Sequence, residues 1–376
     1  MILNLMKMKN LILILALLCS VSFSGYGQLM NPPEIDTQNR VTFRVNAPEA
    51  REVKVINLSD EMAMGAAEYS LTKGDDGIWW VRTNPCRPGY HYYQLSIDGF
   101  KGADPESQAY FGWGRWTSGL EVPSTEITFY QPKNNPKGDV IVHWYFSEIT
   151  QAMRKCLVYT PPSYRTDITR KYPVLYLQHG AGESELGWTM QGKMNFILDN
   201  LLAEGKAKEM MIVMDNGYAA SPDAENKARP SGDENLFEEV INNELIPEID
   251  KNYRTIVSRE SRAIAGLSMG AGQAMRIGLS HLELFSGIGV FSGGVRNFNK
   301  ETSFSGVFKN VDKLNKDINL LWIGCGYLDR GFENIQQFHR ELEDLGVNHV
   351  WHEMDGSHEW QVWRHHLYEF AQLVFK

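Results

Sequence analysis

The sequence predicts an α/β protein of two modules, in which an all-β sandwich precedes a mostly parallel sheet covered by helices. Residues 41–45 and 52–56 alternate apolar and polar side chains, and with the strand at 90–97 and the polar turns between them they are typical of a β-sandwich. From Met153 onward, apolar strands alternate with helical segments, as in a parallel sheet covered on both faces. With 376 residues, of which 43% are hydrophobic, the chain is long enough to form both cores.

The N-terminus has the composition of an export signal. Two lysines precede an unbroken apolar run at residues 11–18, and small residues around Gly27 suit cleavage. The run is too short for a membrane span. Cys19 raises the alternative of a lipoprotein, but the leucine before it is a poor match to the small residue required there. We expect residues 1–27 to be cleaved, which would make the mature protein periplasmic or extracellular without a later membrane span.

Charge and cysteine content argue against several classes of protein. A net charge of −9 without a basic stripe argues against nucleic acid as a partner. Cys86, Cys156 and Cys325 are an odd number and widely spaced, so we expect buried free thiols rather than a disulfide framework. The absence of C-x-x-C, H-E-x-x-H and EF-hand motifs leads us to expect no metal and no other cofactor.

Residues 28–130 are assigned to the β-sandwich and residues 131–376 to the α/β domain, because a polar segment with two prolines and a glycine separates them. In the second module, predicted strands cover 153–159, 173–178, 210–214, 261–265, 286–291, 319–324 and 349–354, and predicted helices cover 196–202, 234–246, 334–345 and 363–374.

Residues 266–270 read G-L-S-M-G, the nucleophile-elbow pattern of α/β-hydrolases. A serine raised above a sheet lies on a tight strand-to-helix turn. Side chains two residues to either side would clash, which suits Gly266 and Gly270. The helix that follows would direct its first N–H groups toward Ser268. The motif predicts Ser268 as the nucleophile of an α/β-hydrolase domain.

A nucleophilic serine requires a base and an acid, which follow it in the order acid and then histidine in this fold. His358 lies in a polar loop between the last predicted strand and the last predicted helix, where the base is expected. Asp329 follows the preceding strand and is the preferred acid. Glu333 already enters a helix, and Asp355 is too close to His358 along the chain.

The oxyanion hole requires the N–H of Met269, directly after the nucleophile, and a second N–H from a loop after an early strand. His179, Gly180, Ala181 and Gly182 occupy such a loop. Ala181 is the preferred donor and Gly182 the second choice, whereas His179 is expected to be structural rather than a base.

Three aromatic residues are candidates for substrate binding. Trp188, Tyr218 and Trp360 could flank an aromatic acyl group or a sugar ring, and packing in the core or at the rim is the alternative for each. Tyr218 begins a long polar connection toward Glu234, and long loops on rigid sheets commonly shape binding sites.

Further motifs extend the pattern along the chain: Y-P-V-L-Y-L-Q-H-G at 172–180, G-W at 187–188, G-x-x-D ending at Asp329, and S-H-E-W-x-x-W-R at 357–364. With the elbow, they resemble the esterase D-like α/β-hydrolases and, among these, carbohydrate esterase family 1, the feruloyl and acetyl-xylan esterases. The resemblance implies a catalytic triad of Ser268, Asp329 and His358. Ser357 stands where many relatives have glycine, which leaves the triad intact.

The first module contains motifs that resemble those of a second protein family. N-A-P at 46–48, G-x-W-W at 77–80, P-G-Y-H-Y-Y at 88–93 and D-G…A-D-P at 98–105 resemble the early-set, immunoglobulin-like modules of carbohydrate-active enzymes, specifically a family 48-like carbohydrate-binding module. Such a module either binds glycan or braces the catalytic domain. We favour bracing, or a shared edge of the site.

The resemblance implies a secreted serine esterase that removes feruloyl or, as second choice, acetyl groups from plant cell-wall xylan. Its partner would be xylan or a xylo-oligosaccharide that carries ester groups. Two alternatives remain: an enterochelin-type siderophore esterase, which also pairs a β-module with this fold, and a non-catalytic glycan-binding protein on an esterase scaffold. The complete triad disfavours the second alternative.

Overall fold

A computed structural model describes residues 32–59, 61–220, 234–295 and 297–376. The predicted signal peptide at 1–27, Cys19 within it, and most of the long connection after Tyr218 lie outside the described residues. In the four described ranges, none of the helices combines the length and the apolar character that crossing a membrane requires.

The first module consists of two facing antiparallel sheets, as predicted. Its elements are β1 (Glu34–Ile35), β2 (Arg40–Asn46), β3 (Val53–Asn57), α1 (Glu61–Met64), β4 (Glu68–Ser70), β5 (Thr72–Lys73), β6 (Ile78–Pro85), β7 (Gly89–Ile97), β8 (Phe100–Gly102), β9 (Ala109–Gly112) and β10 (Arg115–Val122). One sheet has the order β1-β2-β6-β5 and the other β4-β3-β7-β10-β9, with β8 beside β7. Alternate residues of β2 and β7 fill the core between the sheets, where the rings of Phe43 and Tyr93 meet edge to face at 4.9 Å.

The second module is built on an eight-stranded sheet. Its strands are β11 (Asp139–Ser147), β12 (Ala152–Thr160), β13 (Val174–Gln178), β14 (Met211–Asp215), β15 (Arg262–Leu267), β16 (Gly287–Phe291), β17 (Leu320–Gly326) and β18 (Val350–Met354), in the order β11-β12-β14-β13-β15-β16-β17-β18. The strands from β14 to β18 are parallel, and β11 and β12 form an antiparallel pair at the edge. Strand β11 was not predicted. Its outward side chains, such as Val142 and Trp144, are exposed, so it lacks the pattern of a buried strand.

Helices cover both faces of this sheet. They are α2 (Gly187–Met190), α3 (Met194–Ala203), α4 (Glu234–Glu239), α5 (Ile246–Asn252), α6 (Met269–Ser280), α7 (Val311–Asp317), α8 (Phe332–Leu345) and α9 (Trp360–Ala371), with short 3-10 segments at Pro162–Tyr164, Arg259–Ser261 and Ser303–Lys309. A π-helical turn, Val240–Leu245, joins α4 to α5, so the predicted helix at 234–246 continues to Asn252. Helices α4 to α6 and α8 pack on one face, and α3 and α9 on the other. The three cysteines are free and buried, as predicted.

An ion pair between a buried arginine and a partly buried glutamate joins the two modules. Arg364 on α9 is fully buried and donates to both carboxylate oxygens of Glu121 on β10, at 2.7 and 2.9 Å. The ammonium group of Lys193 lies 3.1 Å from the same carboxylate, and the Arg364 guanidinium lies 4.4 Å from the centroid of the Tyr130 ring. The last residue of the S-H-E-W-x-x-W-R motif therefore fixes the sandwich against the α/β domain.

Candidate active site

Ser268 is the single residue between β15 and α6, and its backbone is strained. Its φ of 52° and ψ of −113° lie in a region that residues other than glycine rarely adopt. A Cβ at Gly266 would lie 2.5 Å from backbone atoms of Gly270, and a Cβ at Gly270 would lie 2.5 Å from the carbonyl oxygen of His179. Both glycines of the motif are therefore sterically required.

The imidazole of His358 connects Ser268 to Asp329. Its Nε2 lies 2.8 Å from Ser268 Oγ, and its Nδ1 lies 2.7 Å from Asp329 Oδ2. Since a carboxylate only accepts hydrogen bonds, Nδ1 carries the proton and Nε2 is free to accept the serine proton. The structure thus brings together the three residues that the sequence analysis selected for the triad.

Asp329 is held as an anion in a largely buried position. Burial opposes its ionisation, but the hydrogen bond and charge of His358 and the N–H of Gly331, at 2.8 Å, outweigh burial and hold its pKa below the usual value. The two rival acids are less well placed, because Asp355 and Glu333 are both exposed. Asp329 can therefore stabilise the imidazolium that forms when His358 takes a proton.

The loop after β13 is shaped by a neutral histidine. His179 is buried, which lowers its pKa to about 4. Its Nδ1–H donates to the carbonyl of Gly180 at 2.8 Å, and its Nε2 accepts from the N–H of Gly217 at 2.9 Å. Because both ring nitrogens are used in fixing backbone, His179 has the structural role that the sequence analysis expected.

The N–H groups of Met269 and Ala181 are the predicted donors to an oxyanion. The N–H of Gly182 donates to the hydroxyl oxygen of Tyr218 at 2.6 Å, so it is already engaged. Ala181 lines the same cavity as Ser268. Met269 is the first residue of α6, where a helix leaves N–H groups without an intrahelical acceptor. Ala181 and Met269 therefore remain the preferred donors.

A cavity of about 400 Å³ opens above Ser268 and has walls from both modules. The sandwich contributes Leu58, Ser59, Tyr90, Tyr92, Trp113 and Gly114, and the α/β domain contributes Gly180, Ala181, Gly182, Glu183, Leu267, Ser268, Arg330, His358, Glu359, Trp360 and Trp363. A cavity of this size with aromatic walls is typical of a small-molecule site, and it far exceeds the volume of an acetyl group.

The three predicted substrate-binding residues have different positions. Trp360 lines the cavity, although little of its ring is exposed. Trp188 is only 1% exposed, and its Nε1–H donates to the carbonyl of Gln178 at 2.9 Å, so it belongs to the core and the prediction of substrate contact was wrong. The hydroxyl oxygen of Tyr218 accepts a hydrogen bond from the N–H of Gly182. Tyr218 thereby supports the loop at 179–182, which carries the predicted donor Ala181 and is named the oxyanion loop below.

Trp113 also lines the cavity, although it was not among the predicted site residues. This residue and Gly114 form the two-residue turn between β9 and β10, and Trp113 is 58% exposed at the cavity. Their φ values of 56° and 73° fit a type I′ turn, which an X-Gly pair between two strands could have indicated. The N–H of Gly114 donates to the carbonyl of Gly182 at 2.8 Å, which fixes the turn against the oxyanion loop.

Among the described residues, no group of three or more His, Cys, Asp and Glu side chains could hold a metal ion. The side chains at Ser268 are those of proton transfer and covalent acylation.

Known proteins similar to this chain are esterases. A family model described as putative esterase matches residues 147–323. An endo-1,4-beta-xylanase/feruloyl esterase from Xylanibacter ruminicola is 35% identical over 350 residues, which make up 92% of this chain and 46% of that protein. The chain thus spans less than half the length of this relative.

Solved structures agree with this relationship. The CE1 ferulic acid esterase from the anaerobic fungus Anaeromyces mucronatus aligns with a TM-score of 0.57 and 27% identity, over 66% of this chain and 95% of its own. The enterobactin esterase from Shigella flexneri aligns with a TM-score of 0.65 over 90% of this chain and 95% of its own, but at 16% identity it shows a common fold alone. By its sequence and its fold, the chain is similar to CE1-like esterases, and its second module has an α/β-hydrolase fold.

Proposed function

We propose that this protein is a serine esterase that removes feruloyl groups from plant cell-wall xylan. One observation carries the proposal. Ser268, His358 and Asp329 are connected by hydrogen bonds, and Ser268 and His358 line a cavity of about 400 Å³ with aromatic walls. The chain of hydrogen bonds supports covalent ester hydrolysis, and the cavity supports an aromatic acyl group.

In the acylation step, Ser268 Oγ attacks the ester carbonyl while His358 Nε2 takes its proton. The negative charge that develops on the carbonyl oxygen is stabilised by the N–H groups of Met269 and Ala181, each worth about 3 kcal/mol in comparable sites. The C–O bond to the sugar then breaks, and the sugar hydroxyl leaves with the proton from His358. Asp329 stabilises the imidazolium in between.

In the deacylation step, water replaces the sugar. His358 takes a proton from the water, the resulting hydroxide attacks the acyl carbonyl, and the bond to Ser268 Oγ breaks as the serine regains its proton. Ferulate is released and the enzyme returns to its starting state. The two steps use the same base and the same oxyanion donors.

The cavity walls favour a feruloyl group over an acetyl group. Tyr90 and Trp113 of the sandwich and Trp363 of α9 offer aromatic surface around the space above Ser268. Aromatic rings bind one another through stacked or edge-to-face contacts, which an acetyl group cannot make. The Xylanibacter ruminicola relative is named a xylanase/feruloyl esterase, which supports xylan as the carrier of the ester.

Two further expectations belong to this proposal. Residues 1–27 would direct export, which would bring the enzyme to polymeric plant material in the periplasm or outside the cell. The sandwich, assigned to residues 28–130, would act as a shared edge of the site, because six of its residues line the cavity. The xylan chain that carries the bound ester would then extend out of the cavity along Trp113, whose ring is exposed at that edge.

The proposal is tested by giving methyl ferulate, acetylated xylan and a catecholate siderophore to the wild type and to Ser268→Ala. We expect the wild type to hydrolyse methyl ferulate most efficiently and Ser268→Ala to lose at least about 10³-fold in kcat. Ser280→Ala, at the far end of the same helix, is the matched control and should retain activity. Release of acetate alone would contradict feruloyl preference, and hydrolysis of the siderophore alone would favour the siderophore alternative.

A further inference from the structure

A buried carboxyl group lies beside the oxyanion loop and has no part in the triad. Glu183 is two residues after Ala181, is 6% exposed and lines the cavity above Ser268. Its Oε1 accepts hydrogen bonds from the hydroxyl of Tyr92 and from Nε1–H of Trp360, each at 3.0 Å. Its Oε2 is buried and has no hydrogen-bond partner among the described residues.

These contacts join three parts of the molecule at one side chain. Tyr92 belongs to β7 of the sandwich and also accepts a hydrogen bond from the Gln191 side chain at 2.6 Å. Trp360 begins α9, two residues after His358. Glu183 itself continues the loop of Ala181. A single carboxyl group therefore links the sandwich, the oxyanion loop and the segment that carries the base.

The surroundings of Glu183 favour the neutral acid over the anion. Tyr90 and Tyr92 from β7 and Tyr218 from the loop after β14 interact with the Glu183 carboxyl group, and none of these is a cation. Arg330, His358 and Glu359 line the same cavity, but none of them shifts the pKa of Glu183. Burial raises the pKa of Glu183 to about 8, although the hydrogen bonds from Tyr92, Trp360 and the backbone of Gly180 lower it. This shift favours the protonated carboxyl group near neutral pH.

We propose that Glu183 is a positioning residue, which fixes the oxyanion loop to the sandwich through its hydrogen bond with Tyr92 and to the segment that carries His358 through its hydrogen bond with Trp360. The inference rests on the proposed function, because it concerns the same oxyanion. An ionised Glu183 would add a buried negative charge two residues from the N–H of Ala181. That charge opposes the negative charge of the transition state, so kcat falls while the binding of the neutral ester changes little.

The test compares the pH profile of Glu183→Gln with that of the wild type, using both methyl ferulate and p-nitrophenyl acetate. The amide has nearly the same shape and never ionises. We expect the wild-type kcat to fall about tenfold one pH unit above the pKa of Glu183, because only about a tenth of the enzyme is then protonated. The kcat of Glu183→Gln should stay level over this range, with KM similar to the wild type.

Glu185→Gln is the matched control. Glu185 lies on the same loop and is buried, but Lys155 pairs with its carboxylate at 2.6 Å, so it has a cation that Glu183 lacks. We expect Glu185→Gln to keep the alkaline decrease of the wild type. The same decrease in Glu183→Gln would overturn the inference, and so would a folded Glu183→Gln that is inactive at every pH.

Stability supplies a second readout, which does not depend on catalysis. The pKa of Glu183 is raised from 4.5 in a solvated chain to about 8 in the folded protein. Its contribution to stability is therefore complete below pH 4.5 and is lost as the pH rises toward 8. Urea unfolding should show this loss in the wild type and a smaller loss in Glu183→Gln. Equal losses would contradict a neutral Glu183.

The inference and the proposed function can fail separately. A wild type that hydrolyses p-nitrophenyl acetate but not methyl ferulate would contradict the feruloyl assignment, and the pH profile of Glu183→Gln would remain measurable. A wild type that hydrolyses both esters, with an alkaline decrease that Glu183→Gln retains, would contradict only the role of Glu183.

Discussion

At the scale of single residues, Asp329 determines which nitrogen of His358 carries the proton. The carboxylate accepts a hydrogen bond from Nδ1 at 2.7 Å, which leaves Nε2 facing Ser268 Oγ at 2.8 Å. The His358 contact holds the pKa of Asp329 low despite its burial, so the carboxylate remains charged through the neutral range. The orientation of the base therefore depends on a group that never touches the substrate.

Replacing Asp329 with Asn tests this dependence. The amide can donate to Nδ1, which would place the proton on Nε2 and remove the base, so we expect kcat to fall by about 10⁴ with a small change in KM. Steady-state hydrolysis of methyl ferulate measures both. Asp355→Asn, an exposed residue of the His358 loop, is the control and should keep its activity. A loss of equal size in Asp355→Asn would reverse the assignment of the acid.

The sequence was sufficient to select Ser268, Asp329 and His358 because each follows a strand in a fixed order along the chain. A motif gives a position but not the direction of a side chain, and this is why Trp188 was wrongly assigned to the substrate. Its ring turns into the core and packs at 5.3 Å against Trp360. Only the packing of distant elements determines which of these two rings borders the cavity.

At the scale of elements, the turn between β9 and β10 supports the loop that follows β13. The N–H of Gly114 donates to the carbonyl of Gly182, and Gly182 has a φ of 78°. A Cβ at Gly182 would lie 2.9 Å from the backbone nitrogen of Gly114. The turn can approach the oxyanion loop this closely only because Gly182 has no side chain. The shape of the loop therefore depends on this glycine.

Gly182→Ala should displace this loop. The strained φ alone costs about 1 kcal/mol of stability, and the clash would move the neighbouring N–H of Ala181, so we expect kcat to fall about 10²-fold. Gly205→Ala is the control: its φ is 66°, but a Cβ there would have nothing within 4 Å. In urea unfolding, Gly182→Ala should lose more stability than Gly205→Ala, because only Gly182→Ala adds a clash to the strained φ. Retention of full kcat by Gly182→Ala would contradict the role of the turn.

Most elements were predictable because their residues alternate or repeat in a regular way. The parallel strands from β13 to β18 are apolar runs between polar loops, and α8 repeats its apolar residues at helical spacing. β11 and the β9–β10 turn were not predicted as parts of the sheet or the site. β11 pairs with the next strand, β12, but its outer face is exposed, so it lacks the pattern of a buried strand. The turn contacts Gly182, which lies far away in the chain.

At the scale of the whole molecule, the sandwich and the α/β domain form one site. The buried Arg364 and the partly buried Glu121 join them through an ion pair, and the sandwich contributes Tyr90, Tyr92 and Trp113 to the cavity. The sequence analysis expected bracing or a shared edge, and the contacts are consistent with both. Neither the pair nor the shared cavity follows from local sequence, because both bring together residues from different modules.

Glu121→Gln tests the importance of this junction. Removal of one partner leaves the buried guanidinium of Arg364 without its anion, so we expect the free energy of unfolding to fall by about 3 kcal/mol. Because the cavity is shared, KM for methyl ferulate should rise as well. Glu126→Gln, an exposed residue near the end of the sandwich, should change neither quantity. Unchanged stability in Glu121→Gln would show that the modules are held by other contacts.

The most direct test of the account is to identify the residue that becomes acylated during turnover. The wild type is mixed with excess methyl ferulate, quenched with acid within the first turnovers, digested, and analysed by peptide mass spectrometry. The account predicts a feruloyl group on Ser268 and on no other residue, and no adduct in Ser268→Ala. Turnover of methyl ferulate by Ser268→Ala at the wild-type rate, or a feruloyl adduct on a different residue of the active enzyme, would contradict it.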